Sequence, residues 1–184
     1  MKVERLSIPD VLVLTPPRHG DERGFFSEVF HAGRMAQAGV AGPFVQDNHS
    51  VSRDRGVVRG LHCQIGPNAQ GKLVRCVRGA IWDVAVDARR GSPTFGRHVA
   101  AEITAENWTQ IWVPAGFLHG FCTLLPDTEV IYKVTAPYDR DAERGAAWDS
   151  PELGIPWPVA PEEAVLSDKD RALPRWSDTG PLFP

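Results

Sequence analysis

Short apolar runs, broken every few residues by Gly, Pro, Asp or Asn, set the pattern of this chain. Val11–Leu14, Phe25–Phe30, Val57–His62, Lys72–Val77, Ala80–Asp87, Arg97–Ile103, Gln110–Val113, Phe117–Leu124 and Glu129–Thr135 are rich in Val, Ile, Phe and Trp. Runs of this length, bounded by turn-forming residues, predict β-strands. So many in succession predict an all-β sandwich or barrel. Helical spacing is confined to short pieces, His31–Ala38 and part of the C-terminal tail. No internal repeat or low-complexity tract interrupts the series.

Residues 151–184 change character, for they hold seven of the sixteen prolines. Proline has no backbone N–H to give to a sheet, so this segment cannot supply central strands. Its Trp157, Leu166, Leu173 and Trp176 are too apolar for a free tail and predict a segment wrapped around the barrel. The expectation is a single domain over residues 1–184, with a barrel core at about 40–136 and a C-terminal wrap at about 137–184.

At 184 residues the chain is long enough to bury about 70% of its unfolded surface. A net charge of −3 and a pI near 6.1 give no global positive field to attract nucleic acid or an anionic membrane. Any attraction for an anion must be local. Cys63, Cys76 and Cys122 form neither a CxxC pair nor an even set, so buried, reduced thiols are expected. Met1–Ser7 has no signal-peptide core, and no run approaches the ~20 apolar residues of a membrane span. The expected location is the cytoplasm.

Candidate chemistry lies where ionisable residues interrupt the apolar runs. Arg59-Gly60-Leu61-His62-Cys63-Gln64 and Gly71-Lys72-Leu73-Val74 place an arginine, a histidine and a lysine on strand-like segments. An ionisable group in a barrel interior costs several kcal/mol unless something compensates it. The three together suggest an anion site beside a titratable base. Strict alternation puts His62 on the face of Val58, Gly60 and Gln64, and Arg59 on the other. Either a bulge at Gly60 re-aims these side chains, or Arg59 is solvated outside.

Other positions bear on the same chemistry. Tyr132 shares the interior face of Val130 and Val134, as a core tyrosine or as an acid. His119 shares a face with Phe117 and Phe121, and the pattern suits a structural or a functional histidine. Asp83 and Asp87 sit among apolar residues; a buried carboxylate beside a histidine orients its ring, whereas a strand-end hydrogen bond suits Asp87. Leu166-Ser167-Asp168-Lys169-Asp170 reads as a solvated polar turn unless a distant contact recruits it. Proton abstraction next to a carbonyl needs a base, a donor for the oxyanion and an acid on the opposite face. His62, Lys72 and Tyr132 are residue types suited to those roles.

Several motifs then occur in a specific order. They are Asp21-Glu22-Arg23-Gly24-Phe25-Phe26, Phe44-Val45-Gln46-Asp47-Asn48-His49-Ser50, Arg59-Gly60-Leu61-His62-x-Gln64 and Gln70-Gly71-Lys72-Leu73-Val74-Arg75. Asp83-Val84-Ala85-Val86-Asp87, Ser92-Pro93-Thr94-Phe95-Gly96, Pro114-x-Gly116-Phe117-x-His119-Gly120-Phe121, Glu129-x-x-Tyr132-Lys133 and Ile155-x-Trp157-Pro158 follow. Carrying them, the chain resembles the dTDP-4-dehydrorhamnose 3,5-epimerase family from Ile8 to Asp170.

The resemblance implies an all-β, cupin-like jelly-roll barrel with a few short helices, working as a homodimer without a cofactor or metal. It implies inversion of dTDP-4-dehydro-6-deoxy-D-glucose at C3 and C5 to dTDP-4-dehydro-L-rhamnose. Residue by residue, it makes His62 the base, Asp170 its carboxylate partner, Tyr132 the acid and Lys72 the stabiliser of the enolate. His119 matches a substrate contact. Arg23, Glu28, Gln46, Asp47, Asn48, Arg59, Glu143 and Lys169 match positions that hold the nucleotide or its diphosphate, and Tyr138 the aromatic that stacks on thymine. Contacts near Arg23 and Glu28 come from the partner subunit in the family.

Three alternatives remain open at this stage. Relatives that invert only C3 or only C5 keep the same His–Tyr pair. A metal-dependent cupin is the second alternative: Pro114-x-Gly116-x-x-His119 fits half of the usual metal pattern. Where that pattern offers His-x-His, however, this chain has His62-x-Gln64, with the Lys72 ammonium nearby to repel a cation. A non-catalytic sugar-nucleotide-binding cupin is the third, and it would have no need of both His62 and Tyr132.

Overall fold

The chain, described over residues 1–183 in a computed structural model, turns the alternating runs into thirteen strands. They are β1 (Lys2–Arg5), β2 (Leu12–Thr15), β3 (His19–Asp21), β4 (Gly24–Phe26), β5 (Gln46–Ser52), β6 (Val58–Gln64) and β7 (Lys72–Arg78). β8 (Ala80–Asp87), β9 (His98–Thr104), β10 (Gln110–Val113), β11 (Phe117–Thr123), β12 (Thr128–Val134) and β13 (Glu143–Gly145) complete the set. One sheet runs β1-β2-β10-β7-β12-β5, a second runs β13-β6-β11-β8-β9, and β3-β4 form a separate hairpin. The sheets thus extend beyond residues 40–136: β1 and β2 join the first and β13 the second.

Side chains from the two sheets meet in one apolar core. Val74, Cys76, Ile111 and Val130 come from the first sheet, and Ile81, Ala85, Ile103, Phe117 and Phe121 from the second. The outer face of the second sheet is covered as well. Leu61, Val84, Val86 and Leu118 pack there against Leu153, Trp157, Trp176 and Leu182 of the proline-rich segment. Every residue of β11 is therefore buried. Burial on both faces explains why it reads as a continuous apolar run instead of an alternating one. The outer face of the first sheet is closed by α1 (Ala32–Gln37), whose Met35 packs on Leu12, Leu14 and Trp112. The predicted helix His31–Ala38 is this element with its two caps.

Two sequence expectations change. Of Phe25–Phe30 only Phe25 and Phe26 pair, with Gly20 and His19, and the rest leads into α1. β5, Gln46-Asp47-Asn48-His49-Ser50-Val51-Ser52, has no apolar face and was invisible to hydrophobic alternation. It is held as an edge strand by β12, with Asn48 opposite Tyr132.

The parity conflict between Arg59 and His62 is resolved by a bulge. Along β6 and β11, His62 lies opposite His119 and Arg59 opposite Phe121, so Gly60 and Leu61 together face Gly120 alone. Two residues against one re-aim the flanking side chains. Gly60 has φ +117°, and a Cβ there would meet Gly120 Cα and the His119 carbonyl at 2.7 Å. Gly60→Ala should therefore destabilise the fold by about 2 kcal/mol or more. In a chain of this size that is a fall in Tm of about 4–8 °C by calorimetry. An unchanged Tm would show that the bulge does not depend on glycine.

Asp87 makes the strand-end hydrogen bonds expected of it. Arg89 donates to both of its oxygens at 2.9 and 2.7 Å, and Ser92 and Thr94 hydroxyls each donate at 2.6 Å. Burial pushes the carboxyl up, but these donors outweigh it and hold its pKa at about 2. Asp87 is structural here.

Candidate active site

Between the sheets, β6, β7, β11 and β12 converge on a cavity of about 350 Å³. Arg59, His62, Lys72, His119, Tyr132, Tyr138, Glu143, Lys169 and Asp170 line it, together with Ser50, Phe121 and Ser167. A side pocket of about 130 Å³ shares His62, Lys72 and Tyr132 and adds Gln46, Asn48, Cys63, Gln64 and Gln70. A larger hollow of about 710 Å³ lies beside α1, lined by Phe30, Met35, Val40, Phe44, Asp47 and Lys133. It contains none of the histidine–tyrosine set, so the acid–base candidates gather in the smaller cavity.

His62 is brought to Asp170 by the tail. Val165 bridges Val57 just before β6, and Ser167 then caps the short helix α2 (Asp168–Arg171). His62 Nε2 lies 2.5 Å from Asp170 Oδ1, and the Ser167 hydroxyl donates to Asp170 Oδ2 at 2.8 Å. Burial pushes the Asp170 carboxyl up. The His62 ring beside it, the Ser167 hydroxyl and the Gly60 amide outweigh burial and hold it below the usual range. A contact over about a hundred residues has thus recruited the polar turn. Such a carboxylate orients the ring.

Lys72 donates to the His62 carbonyl at 3.5 Å. Burial holds its ammonium below the ordinary lysine value, and Cys63, Asp83 and Glu143 pull it only part of the way back. Tyr132 faces inwards and packs on the core, as its strand parity predicts. Burial raises its phenol above the ordinary value, so it is held in the protonated form that can donate. His119 is buried, and its Nε2 lies 3.0 and 2.9 Å from the two oxygens of Asp83.

A polar cluster continues outwards from this centre. The Tyr138 hydroxyl donates to Glu143 at 2.8 Å and Lys169 donates to the same oxygen at 2.5 Å. Burial pushes Glu143 up, but these two donors hold it below its usual range. Gln46 accepts from the Tyr138 amide at 2.9 Å and donates to Asn48 at 2.8 Å. Tyr138 remains half exposed, its ring free at the opening. Arg59 is tethered by Ser52 and the Val51 carbonyl, both at 3.2 Å.

Three sequence candidates lie elsewhere. Asp47 alternates with Gln46 and Asn48 onto the other face of β5 and pairs with Lys133 at 2.8 Å. Arg23, on the exposed hairpin, bonds Asp21, and Glu28 bonds Arg34. In a single chain neither Arg23 nor Glu28 lines the cavity. Ser50, Phe121 and Ser167 line it without having been singled out; for Ser50 the available signal was its shared parity with Gln46 and Asn48. Among the described residues, no three His, Cys, Asp or Glu side chains gather as a metal-binding group, and no helix is long and apolar enough to cross a membrane.

Known proteins share both this fold and this length. A structure from Bacillus anthracis, described as dTDP-4-dehydrorhamnose 3,5-epimerase with TDP and PPi bound, is 47% identical with a TM-score of 0.91, covering 95% of this chain and 98% of that one. A structure of dTDP-6-deoxy-D-glucose-3,5-epimerase from Legionella pneumophila, in complex with dTDP-4-keto-L-rhamnose, is 41% identical with a TM-score of 0.88 and the same coverage. These likenesses define an isomerase, an epimerase on a cupin-like jelly roll.

The family profile described as dTDP-4-dehydrorhamnose 3,5-epimerase matches residues 5–178. The enzyme of that name from Sinorhizobium fredii is 53% identical over 174 residues, 95% of this chain and 89% of its own length. The chain belongs to the dTDP-4-dehydrorhamnose 3,5-epimerase family.

Proposed function

We propose that this protein converts dTDP-4-dehydro-6-deoxy-D-glucose to dTDP-4-dehydro-L-rhamnose by inverting C3 and then C5, or the reverse order, through enolates. The observation that carries the reading is the carboxylate-backed His62 facing the same cavity as the half-buried, protonated Tyr132. C3 and C5 both flank the C4 ketone, so removal of either hydrogen gives an enolate that the carbonyl oxygen shares.

His62 takes the proton from carbon and becomes an imidazolium beside Asp170. The Lys72 ammonium hydrogen-bonds the oxyanion as charge develops there. Tyr132 returns a proton to the carbon from the opposite face, and that reverses its configuration. The proton on His62 passes to solvent, and the phenolate regains one. Tyr138 stacks on thymine, a contact worth about 1–3 kcal/mol. Arg59 and Lys169 neutralise the diphosphate, while Gln46, Asn48 and Glu143 order the binding groups.

Arg23, Glu28 and Asp47 lie outside the cavity of one chain. We assign Arg23 and Glu28 to the nucleotide bound by a second copy, in a homodimer. The exposed Phe25 and Phe26 on the same hairpin support this reading, since burying them would reward association.

The reaction is checked by product identity. After incubation, borohydride reduction and hydrolysis should release L-rhamnose and its C4 epimer. Recovery of D-configured 6-deoxyhexoses alone would overturn the reading.

A further inference from the structure

One buried acid inside the barrel has no part in the mechanism above. Asp83 lies on β8 between the core residues Ile81 and Ala85 and has no solvent exposure. Both its oxygens bond His119 Nε2, its only hydrogen-bond partner among the described residues. Packing alone gives no reason for a carboxylate here, because an ionised group in an apolar core costs several kcal/mol unless it is paired. An aliphatic side chain would fill the space at no such cost. The residue type is explained by what it does to His119.

His119 stands directly opposite His62 in the β6–β11 register and lines the same cavity. With Nε2 committed to Asp83, Nδ1 is the ring nitrogen left for the cavity's contents. The nitrogen bonded to an orienting carboxylate fixes which one faces the substrate. The barrel therefore carries two carboxylate-backed histidines side by side, His62 with Asp170 and His119 with Asp83.

We propose that Asp83 is a positioning residue for the epimerisation: by accepting the Nε2–H of His119, it locks that ring so that Nδ1 is presented to the bound sugar. The inference rests on the epimerase reading for its kinetic consequence, but not for the state of the ring. Removing Asp83 would let the imidazole rotate or exchange tautomers, and the sugar would be held less often in the reactive pose.

The test combines nitrogen-15 NMR of histidine-labelled protein with kinetics. His119 signals are assigned by their loss in His119→Gln. The wild type should carry a proton on Nε2 of His119, and Asp83→Asn should show a mixture of tautomers. In Asp83→Asn, kcat should fall about 10- to 100-fold with KM changed far less, by analogy with removal of the orienting partner of a metal-bound histidine. Because Asp83 acts through His119, adding Asp83→Asn to His119→Gln should cost less than about threefold more.

An unprotonated Nε2 in the wild type would overturn the proposal without any variant. So would two losses that simply multiply, or a lower Tm with kcat of the folded enzyme unchanged. If Asp83→Asn does not fold, Asp83→Ser takes its place in the same cycle. Failure of the wild type to turn over the sugar would instead remove the epimerase reading and leave the ring state measurable.

Discussion

Replacing His62 with alanine should abolish exchange of the sugar's C3 and C5 hydrogens, a loss of about 10³-fold or more in rate. The effect is large because, of the two carboxylate-backed histidines, His62 is the one assigned to the reacting carbons and His119 is assigned to holding the sugar. Tyr132 is held protonated by burial, and His119 is engaged by Asp83. The substitution also leaves Asp170, only 6% exposed, without its ring partner. An unpaired buried carboxylate costs stability, so Tm is measured alongside and the rate is taken on folded protein. His62→Asn, which retains a polar partner for Asp170, should lose exchange to a similar degree. Exchange at near wild-type rate in either folded variant would remove His62 as the base.

Tyr132→Phe should separate two events that the wild type couples. The base remains, so hydrogen still leaves carbon and exchange continues at a reduced rate. The donor on the opposite face is gone, so complete inversion should fall by about 10²-fold or more. The fold should tolerate the change, because Tyr132 packs its ring on the core and its hydroxyl faces the cavity. The check is to measure deuterium incorporation and L-sugar formation in one sample. Equal loss of both would make Tyr132 a binding group, and full inversion would remove it from the mechanism.

The strands that bury apolar side chains were legible because alternation is a local property. β8 and β10 coincide with their predicted bounds, and β7, β9, β11 and β12 lie within a residue of theirs. The polar strand β5 was not legible, since its inward residues Gln46, Asn48 and Ser50 face a ligand cavity instead of a core. The bulge at Gly60 was legible only as a conflict: Arg59 and His62 could not share a face on a regular strand. Asp170 was beyond local reading, because its role depends on a tail that returns to β6 across the whole barrel. Asp83 lies between these cases. Its apolar neighbours marked a buried carboxylate, but only the β8–β11 pairing shows which histidine it serves.

Asp47 marks the limit of carrying roles across by motif. It stands between Gln46 and Asn48 in sequence, yet alternation turns it outwards to Lys133. Three consecutive polar residues on a strand cannot all face one cavity. Arg23 and Glu28 fall short for a different reason, since a single chain leaves their hairpin outside the cavity.

The central claim is that one cavity removes and replaces hydrogen at both carbons flanking the ketone. It is tested most directly by incubating the protein with dTDP-4-dehydro-6-deoxy-D-glucose in D2O and following the sugar by proton NMR. The account predicts loss of both the C3 and the C5 signals as deuterium enters, with L-configured product carrying deuterium at both positions. Exchange confined to one carbon, or no exchange at either, would contradict it.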